Sequence, residues 1–388
     1  MSHSLCVFGQ VRGRGQWVLG PGIALSLAIW LAGCRAGAGA SDFVVLNGDA
    51  DRPAVPITAT IVRGAPGGDD DLEGRGRWSD LRKISSVRLR NDDGGSEFRQ
   101  AAAIAVLPDG GFLAVDKRIG EVSHFAEAGL GRSVLPRNLK PDFRLLTPTS
   151  LARHNAGVWF VGDWSSTIKL FKEAQQGWAP AGTIPTEGIV SAACSLGDRV
   201  VVRGAFADGS DVHEYALDGE ITRRYSSSYK HWSAIVRPSM SAGLVACGPG
   251  RPVIVTVTNA FPFVQGYSRD GKLLWTTEIT KMRLNRVAFG HTPSGQDSVR
   301  HERDAINDTP ASLTYLTDEL VLFQFVRVQK SAVDQMHATV HSVVLSATTG
   351  RGAFVISELP LVLAASWPRL YTTSVSDPTT VAVYELNR

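Results

Sequence analysis

Ile104-Ala105-Val106-Leu107-Pro108-Asp109-Gly110-Gly111-Phe112-Leu113-Ala114-Val115-Asp116 is the stretch that decides the fold of this chain. Two short apolar runs flank Pro-Asp-Gly-Gly. The proline presets one backbone angle there, and the glycines accept conformations closed to other side chains. A hairpin of two buried strands is the expectation. A third run, Glu121-Val122-Ser123-His124-Phe125, follows after a loop, so the unit reads strand, turn, strand, loop, strand.

The same order recurs along the chain. Ser150-Leu151-Ala152 leads to Val158-Trp159-Phe160-Val161 and Thr167-Ile168-Lys169-Leu170-Phe171. Ser191 to Cys194 leads to Arg199 to Val202 and Val212 to Tyr215. Gly243 to Cys247 leads to Val253 to Val257 and Phe263 to Tyr267. Ser312 to Tyr315 leads to Leu320 to Phe323 and Ser342 to Leu345, and Leu363 to Ala365 leads to Leu370 to Thr372 and Val381 to Tyr384. These are six units at roughly 40 to 70 residues each, the spacing of propeller blades with insertions. Fourth strands follow polar turns at Glu220 to Tyr225, Leu273 to Ile279 and Gly352 to Ile356.

The sixth unit lacks a fourth strand, while a spare one, Ile84 to Arg90, precedes the first unit. Pairing the spare with the incomplete unit would close a ring and protect its sheet edges. The fold class expected is therefore all-β, a six-bladed β-propeller closed by an N-terminal strand. Ile104 to Asp116 resembles the NHL- or TolB-like repeat of six-bladed propellers, and the chain is similar to bacterial propeller lipoproteins. The match in letters is confined to the first unit; the others match in strand order.

The N-terminus fits that resemblance. Arg12 and Arg14 precede an apolar run, Ile23 to Leu31, with no acidic residue among them. The run is too short for a membrane span, which needs about 20 apolar residues, and has the parts of a secretory signal. Leu31-Ala32-Gly33-Cys34 resembles the bacterial lipobox, which implies lipidation of Cys34 and a membrane anchor. Arg35, rather than Asp, then implies the outer membrane facing the periplasm if the host is Gram-negative. Residues 1–33 read as a signal peptide, 34–76 as the lipidated Cys and a Gly/Pro/Asp-rich flexible tether, and 77–388 as the propeller. Two apolar pieces of the tether, Phe43 to Leu46 and Ile57 to Val62, have the character of short strands.

Arg12 and Arg14 leave with such a leader, so of the 40 Lys and Arg 38 stand against 37 Asp and Glu. A nearly neutral chain has no concentrated basic face for nucleic acid. Of the four Cys, Cys6 and Cys34 belong to the leader and the anchor. Cys194 and Cys247 remain, either a disulfide in an oxidising compartment or two small buried residues.

In such propellers the loops from second to third strand, and from fourth strand to the next first strand, line one face. Loops more often than strands carry function. The candidate binding face expected from them comprises Asp116, Arg118, Asp163, Trp164, Arg203, Asn259, Phe261, Lys230, His231 and Trp232, with Arg286, His291 and His301 from the long insertion between Lys281 and Asp308. Aromatic, basic and amide groups around a mouth suit a protein or a small ligand. No cofactor is required by this reading.

The alternative is a metal-dependent, lactonase-like hydrolase of the regucalcin type, with Glu97, Glu187, Asn307 and Asp308 supplying oxygen ligands to a divalent cation such as calcium. No Gly-x-Ser-x-Gly elbow, phosphate loop or dinucleotide fingerprint is present. The expectation is a membrane-anchored binding protein of the cell envelope, with an envelope protein or small ligand as partner and no catalysis evident.

Overall fold

The structure is a computed structural model that describes residues 43–47, 55–61, 81–90, 98–126, 131–136, 138–175, 177–226, 233, 235–248, 253–280, 282–292, 294–302, 306–330, 336–355 and 359–386. Cys34 and the leader, Glu97, and Lys230, His231 and Trp232 lie outside the described residues.

Continuous apolar runs such as Phe112-Leu113-Ala114-Val115 and Val158-Trp159-Phe160-Val161 are strands buried on both faces, which is why they do not alternate with polar residues. Each lies second in a sheet ordered as the sequence runs. Sheet I contains Ala101–Val106, Phe112–Asp116, Glu121–Phe125 and Arg132–Ser133. Sheet II contains Pro148–Arg153, Val158–Asp163, Thr167–Ala174 and Gly177–Pro185; sheet III contains Gly188–Leu196, Arg199–Phe206, Ser210–Tyr215 and Ile221–Ser226. Sheet IV is Gly243–Cys247, Val253–Thr258, Phe263–Ser268 and Leu273–Ile279. Sheet V is Ile306–Tyr315, Leu320–Lys330, Met336–Ser346 and Gly352–Phe354.

Sheet VI takes Leu361–Ser366, Arg369–Thr373 and Thr380–Leu386 from the C-terminal end, and its fourth strand is Leu81–Arg88, antiparallel to Thr380–Leu386. The spare strand near the N-terminus therefore completes the last sheet.

The first strand of each sheet lies beside the first strand of the next, and that of sheet VI lies beside that of sheet I. Alternate side chains of the second strands point to opposite neighbours. Phe112 and Ala114 pack with Tyr371 and Val381 of sheet VI. Leu113 and Val115 pack with Trp159 and Val161 of sheet II. Four further apolar clusters fill the spaces between II and III, III and IV, IV and V, and V and VI. Cutting any of the large side chains here to Ala costs about 3–5 kcal/mol for a Phe or Trp.

In sheets I, II, III and VI the first strand carries a bulge near its start, at Ala101/Ala103, Pro148/Ser150, Val190/Ala192 and Val362/Ala364, and in sheet V one at mid-strand, Pro310/Ser312. Such bulges bend a strand and re-aim its side chains. Cys194 and Cys247, near the ends of the first strands of sheets III and IV, are joined in a disulfide with Cα atoms 5.7 Å apart.

Two pieces of the 34–76 segment are strands. Ala59–Ile61 adds to sheet IV, parallel to Leu273–Ile279. Val44–Val45 pairs with Arg286–His291, which forms a hairpin with Asp297–Glu302. This three-stranded insert packs through Val287, Phe289 and Val299 on Val236, Met240, Phe261 and Phe263. No described helix is long and apolar enough to cross a membrane.

Candidate binding face

The turns after the second strands and the connections into the first strands meet at one end of the sheets. What holds them together at sheet I is Asp116. It closes the second strand, is fully buried, and accepts the backbone N–H groups of Arg99, Gln100 (3.2 Å), Arg118 (2.6 Å) and Ile119 (3.2 Å). Lys117 N–H donates to the Gln100 carbonyl at 3.0 Å.

Sheet II repeats the arrangement. Asp163, also fully buried, accepts Leu146 N–H at 3.0 Å and Thr147 N–H at 2.6 Å, and Trp164 N–H donates to the Thr147 carbonyl at 2.9 Å. Here the carboxylate also pairs with Lys169 Nζ at 2.6 Å, and both partners are out of solvent. The two aspartates expected on the surface of the face are instead the frame beneath it, because a buried carboxylate needs several donors to be held charged.

The frames present their neighbours to solvent. At sheet I these are exposed Arg99 and half-buried Lys117 and Arg118. Burial, with Arg118 adding, pushes the Lys117 amine down to about 8. Burial also lowers Arg118; Asp116 opposes this and Arg99 reinforces it. At sheet II the residues presented are Leu146, 72% exposed, and half-buried Trp164.

Trp164 borders a shallow depression, too narrow to admit a water molecule, with Ile189, Ser191, Ala205, Pro238 and Ala242. Pro238 and Met240 belong to the short helix Arg237–Ser241, whose Arg237 donates to the Ala207 carbonyl at 3.0 Å. Ile235, 43% exposed, stands just before this helix.

The other expected face residues divide. Phe261 is 2% exposed and belongs to the core beneath the insert, since its ring stacks with Phe263. Arg203 is buried between sheets III and IV with Nη2 3.7 Å from Asp211; burial lowers its pKa, and Asp211 and Tyr267 oppose this. A Cβ on Gly243 would stand 2.7 Å from its Nε, so only glycine fits there. Asn259 ties its backbone N–H to the Ala242 carbonyl at 2.9 Å. On the insert, exposed Arg286 stands 4.0 Å from Glu302, and His291 Nδ1 is 3.2 Å from Asp297. His301 Nε2 lies 3.2 Å from Ser239 Oγ, tying the insert to the short helix.

The expected metal ligands do not come together among the described residues. Asp308, in the first strand of sheet V, is held by Arg327 in a bidentate pair (2.7 and 2.6 Å) and by Arg283 N–H at 2.7 Å. Its oxygens are thereby committed to protein donors. Half-buried Asn307 sits beside it, opposite Val328. Glu187, before the first strand of sheet III, finds different company: one ligand atom each from Glu187, Asp208 and His213 lie within 4.8 Å of one another.

That group is closed by its own hydrogen bonds. His213 Nε2 is 2.5 Å from Ser210 Oγ and 3.2 Å from Asp208, and Nδ1 is 3.0 Å from Tyr215 Oη. Its ring stacks on Phe206 at 3.7 Å. Burial lowers the His213 pKa, with Asp208 opposing, and so favours the neutral ring. Arg224 reaches Asp208 at 2.9 Å and Glu187 at 3.5 Å. A cation would have to displace that guanidinium. In the sequence Asp208 and His213 read as an Asp-Gly turn and a strand histidine; their hairpin register brings them together.

No family model matches the chain, and no curated protein matches it. Solved structures do. A protein from Bacteroides fragilis assigned to export is 8% identical, covers 85% of this chain and 99% of its own, and superposes with a TM-score of 0.53. Virginiamycin B lyase from Staphylococcus aureus is 10% identical over 79% of this chain and 100% of its own, with a TM-score of 0.45. BamB from Moraxella catarrhalis is 17% identical over 79% and 99%, with a TM-score of 0.40. At these identities the likeness shows the fold alone, which is of the β-propeller type.

Proposed function

We propose that this chain is a lipid-anchored, extracytoplasmic six-bladed β-propeller that binds a protein or small ligand on its loop face, without chemistry of its own. Six sheets with neighbouring first strands, and an apolar cluster between each consecutive pair including VI and I, support a closed ring of six blades. The basic leader ending in Leu31-Ala32-Gly33-Cys34 supports export and anchoring, and the Cys194–Cys247 disulfide suits an oxidising compartment.

The observation that carries the binding reading is the apolar surface of this end of the sheets, where Leu146 and Ile235 are exposed and Trp164 is half-buried. Apolar side chains kept together in solvent mark interaction surfaces. The test compares proteins cross-linked to the wild type and to Trp164→Ala in envelope preparations. A specific partner lost in the variant is expected; identical partners in both would sink the assignment of the face. Fatty-acid labelling tests the anchor separately, and label retained by Cys34→Ala would remove it.

The rival reading, a metal-dependent hydrolase, has Glu187, Asp208 and His213 in its favour as a mixed oxygen and nitrogen donor set. Elemental analysis separates the two. A stoichiometric divalent ion that disappears in His213→Ala would overturn the non-catalytic reading.

A further inference from the structure

Resting on the lipid-anchor reading, we infer that the loop face is turned toward the lipid surface that holds Cys34, with the three-stranded insert as the part of the face nearest to it. What fixes this orientation is the place at which the chain joins the fold. Val44 and Val45 pair with Phe289 and Ala288 on the edge of the insert, and the Arg300 guanidinium stands 3.8 Å from the centre of the Phe43 ring. Leu46 N–H donates to the Val287 carbonyl at 2.7 Å. The insert lies in the connection from the fourth strand of sheet IV to the first strand of sheet V, so it belongs to the loop face.

The join is held at two places. Asn47 donates through Nδ2 to the Ala260 and Asn285 carbonyls, both at 2.9 Å, and its Oδ1 accepts Val287 N–H at 2.7 Å. Ala260 lies in the turn between the second and third strands of sheet IV, again at the loop end. One amide side chain thus clamps the chain to a sheet turn and to the insert together. Farther along, Thr58 N–H donates to the Thr276 carbonyl at 2.9 Å, and the carbonyl of buried Ile61 accepts Thr280 N–H at 3.0 Å. The lead to the membrane cannot lengthen by peeling this segment away without giving up these bonds and the burial of Ile61.

Only the eight residues from Arg35 to Asp42 separate Cys34 from Phe43. Whatever their conformation, such a lead reaches no farther than about 32 Å. With the opposite end of the sheets toward the lipid, the lead would first have to run past the sheets. A strand of six residues, such as Val253–Thr258, is about 20 Å long. That route would leave about 10 Å to spare and demand a nearly extended chain, at a cost in conformational entropy. With the loop face inward the lead has no such detour. A ligand of the loop face is thereby taken from the space between the ring and the bilayer.

Förster transfer to an acceptor dye carried by lipid tests this. The acylated full-length protein, in vesicles of phosphatidylethanolamine and phosphatidylglycerol, carries a donor dye at Ser294→Cys in the turn of the insert. Parallel samples carry it at Asn155→Cys or Asp198→Cys, in turns between first and second strands at the opposite end; all three positions are exposed. Transfer at position 294 is expected to exceed that at the other two by about twofold or more, since the lead limits the gap. A Gly/Ser segment inserted between Gly39 and Ala40 is expected to shrink the difference. Melting curves check that each variant is folded. Equal or reversed transfer in vesicle-bound protein that carries fatty acid would overturn this orientation and leave the anchor standing. A difference that survives the insertion unchanged would also overturn it, since the lead would not be what orients the ring. A protein that takes up no fatty acid would overturn the anchor and the orientation together.

Discussion

Sheets I and II answer one structural problem in two ways. Each ends its second strand in a fully buried aspartate, and each uses it to tie the turn after that strand to the connection before the first. In sheet I the turn Lys117–Gly120 folds back so that the Arg118 and Ile119 N–H groups complete the shell of Asp116, with Gly120 at φ +64° closing it. In sheet II the turn between Asp163 and Thr167 is shorter by one residue, and Lys169 takes over. By ladder register Lys169 corresponds to Ser123 of sheet I, a residue equally buried but uncharged. The turns differ by one residue, and the buried carboxylate is held by four amides in sheet I and by two amides and a buried cation in sheet II.

The two solutions differ in fragility. Asp163→Ala leaves the Lys169 ammonium buried without its carboxylate, and a destabilisation of about 3–5 kcal/mol is expected, read from urea denaturation. Asp163→Ala combined with Lys169→Met removes both charges and should recover a large part of that loss. If the double variant is as unstable as the single one, the cation is not what makes this frame fragile.

Asp116→Ala strands backbone N–H groups rather than a buried charge. Its expected cost is smaller, about 1–3 kcal/mol, because no buried ion is left alone. The same denaturation series ranks the two positions. A larger loss at Asp116 than at Asp163 would reverse the comparison.

Much of this architecture was legible in the sequence, and the part that was not has a physical reason. The central strands were readable because burial on both faces makes them unbroken apolar runs, as in Phe112–Asp116 and Val158–Asp163. The outer strands Arg132–Ser133 and Gly177–Pro185 were not, since an edge strand that is half exposed loses the apolar signal. Asp116 and Asp163 stand out in the sequence as polar residues after apolar runs, which reads as a surface loop. Only the hydrogen-bond register reveals them as buried frames. The clue lay in their equal distance from the start of their units, a regularity that matters once the bulges are aligned. Phe261 misled for the opposite reason: its loop is covered by the insert, whose packing no local pattern announces.

Exchanging what the frames present isolates surface from scaffold. Arg99→Leu with Lys117→Trp gives sheet I the apolar pair of sheet II while leaving Asp116 and its amides alone. Arg99 is exposed and Lys117 half-buried, so only the Trp has to be accommodated, and a loss of about 1–3 kcal/mol is expected in the same urea series. A loss as large as that of Asp163→Ala would mean that the Lys117 side chain belongs to the scaffold.

The smallest expected effect is a dependence on pH, and its sign follows from Lys117. Burial and the nearby Arg118 hold that amine near pKa 8, well below its ordinary 10.5. Between these values the unfolded chain binds more protons than the folded one, so the burial of Lys117 opposes folding most below pH 8 and stability should rise as pH goes from 8 to about 9.5. Lys117→Met removes the titrating group and should flatten that rise in a urea series. A rise of the same size in the variant would move the titration to another group.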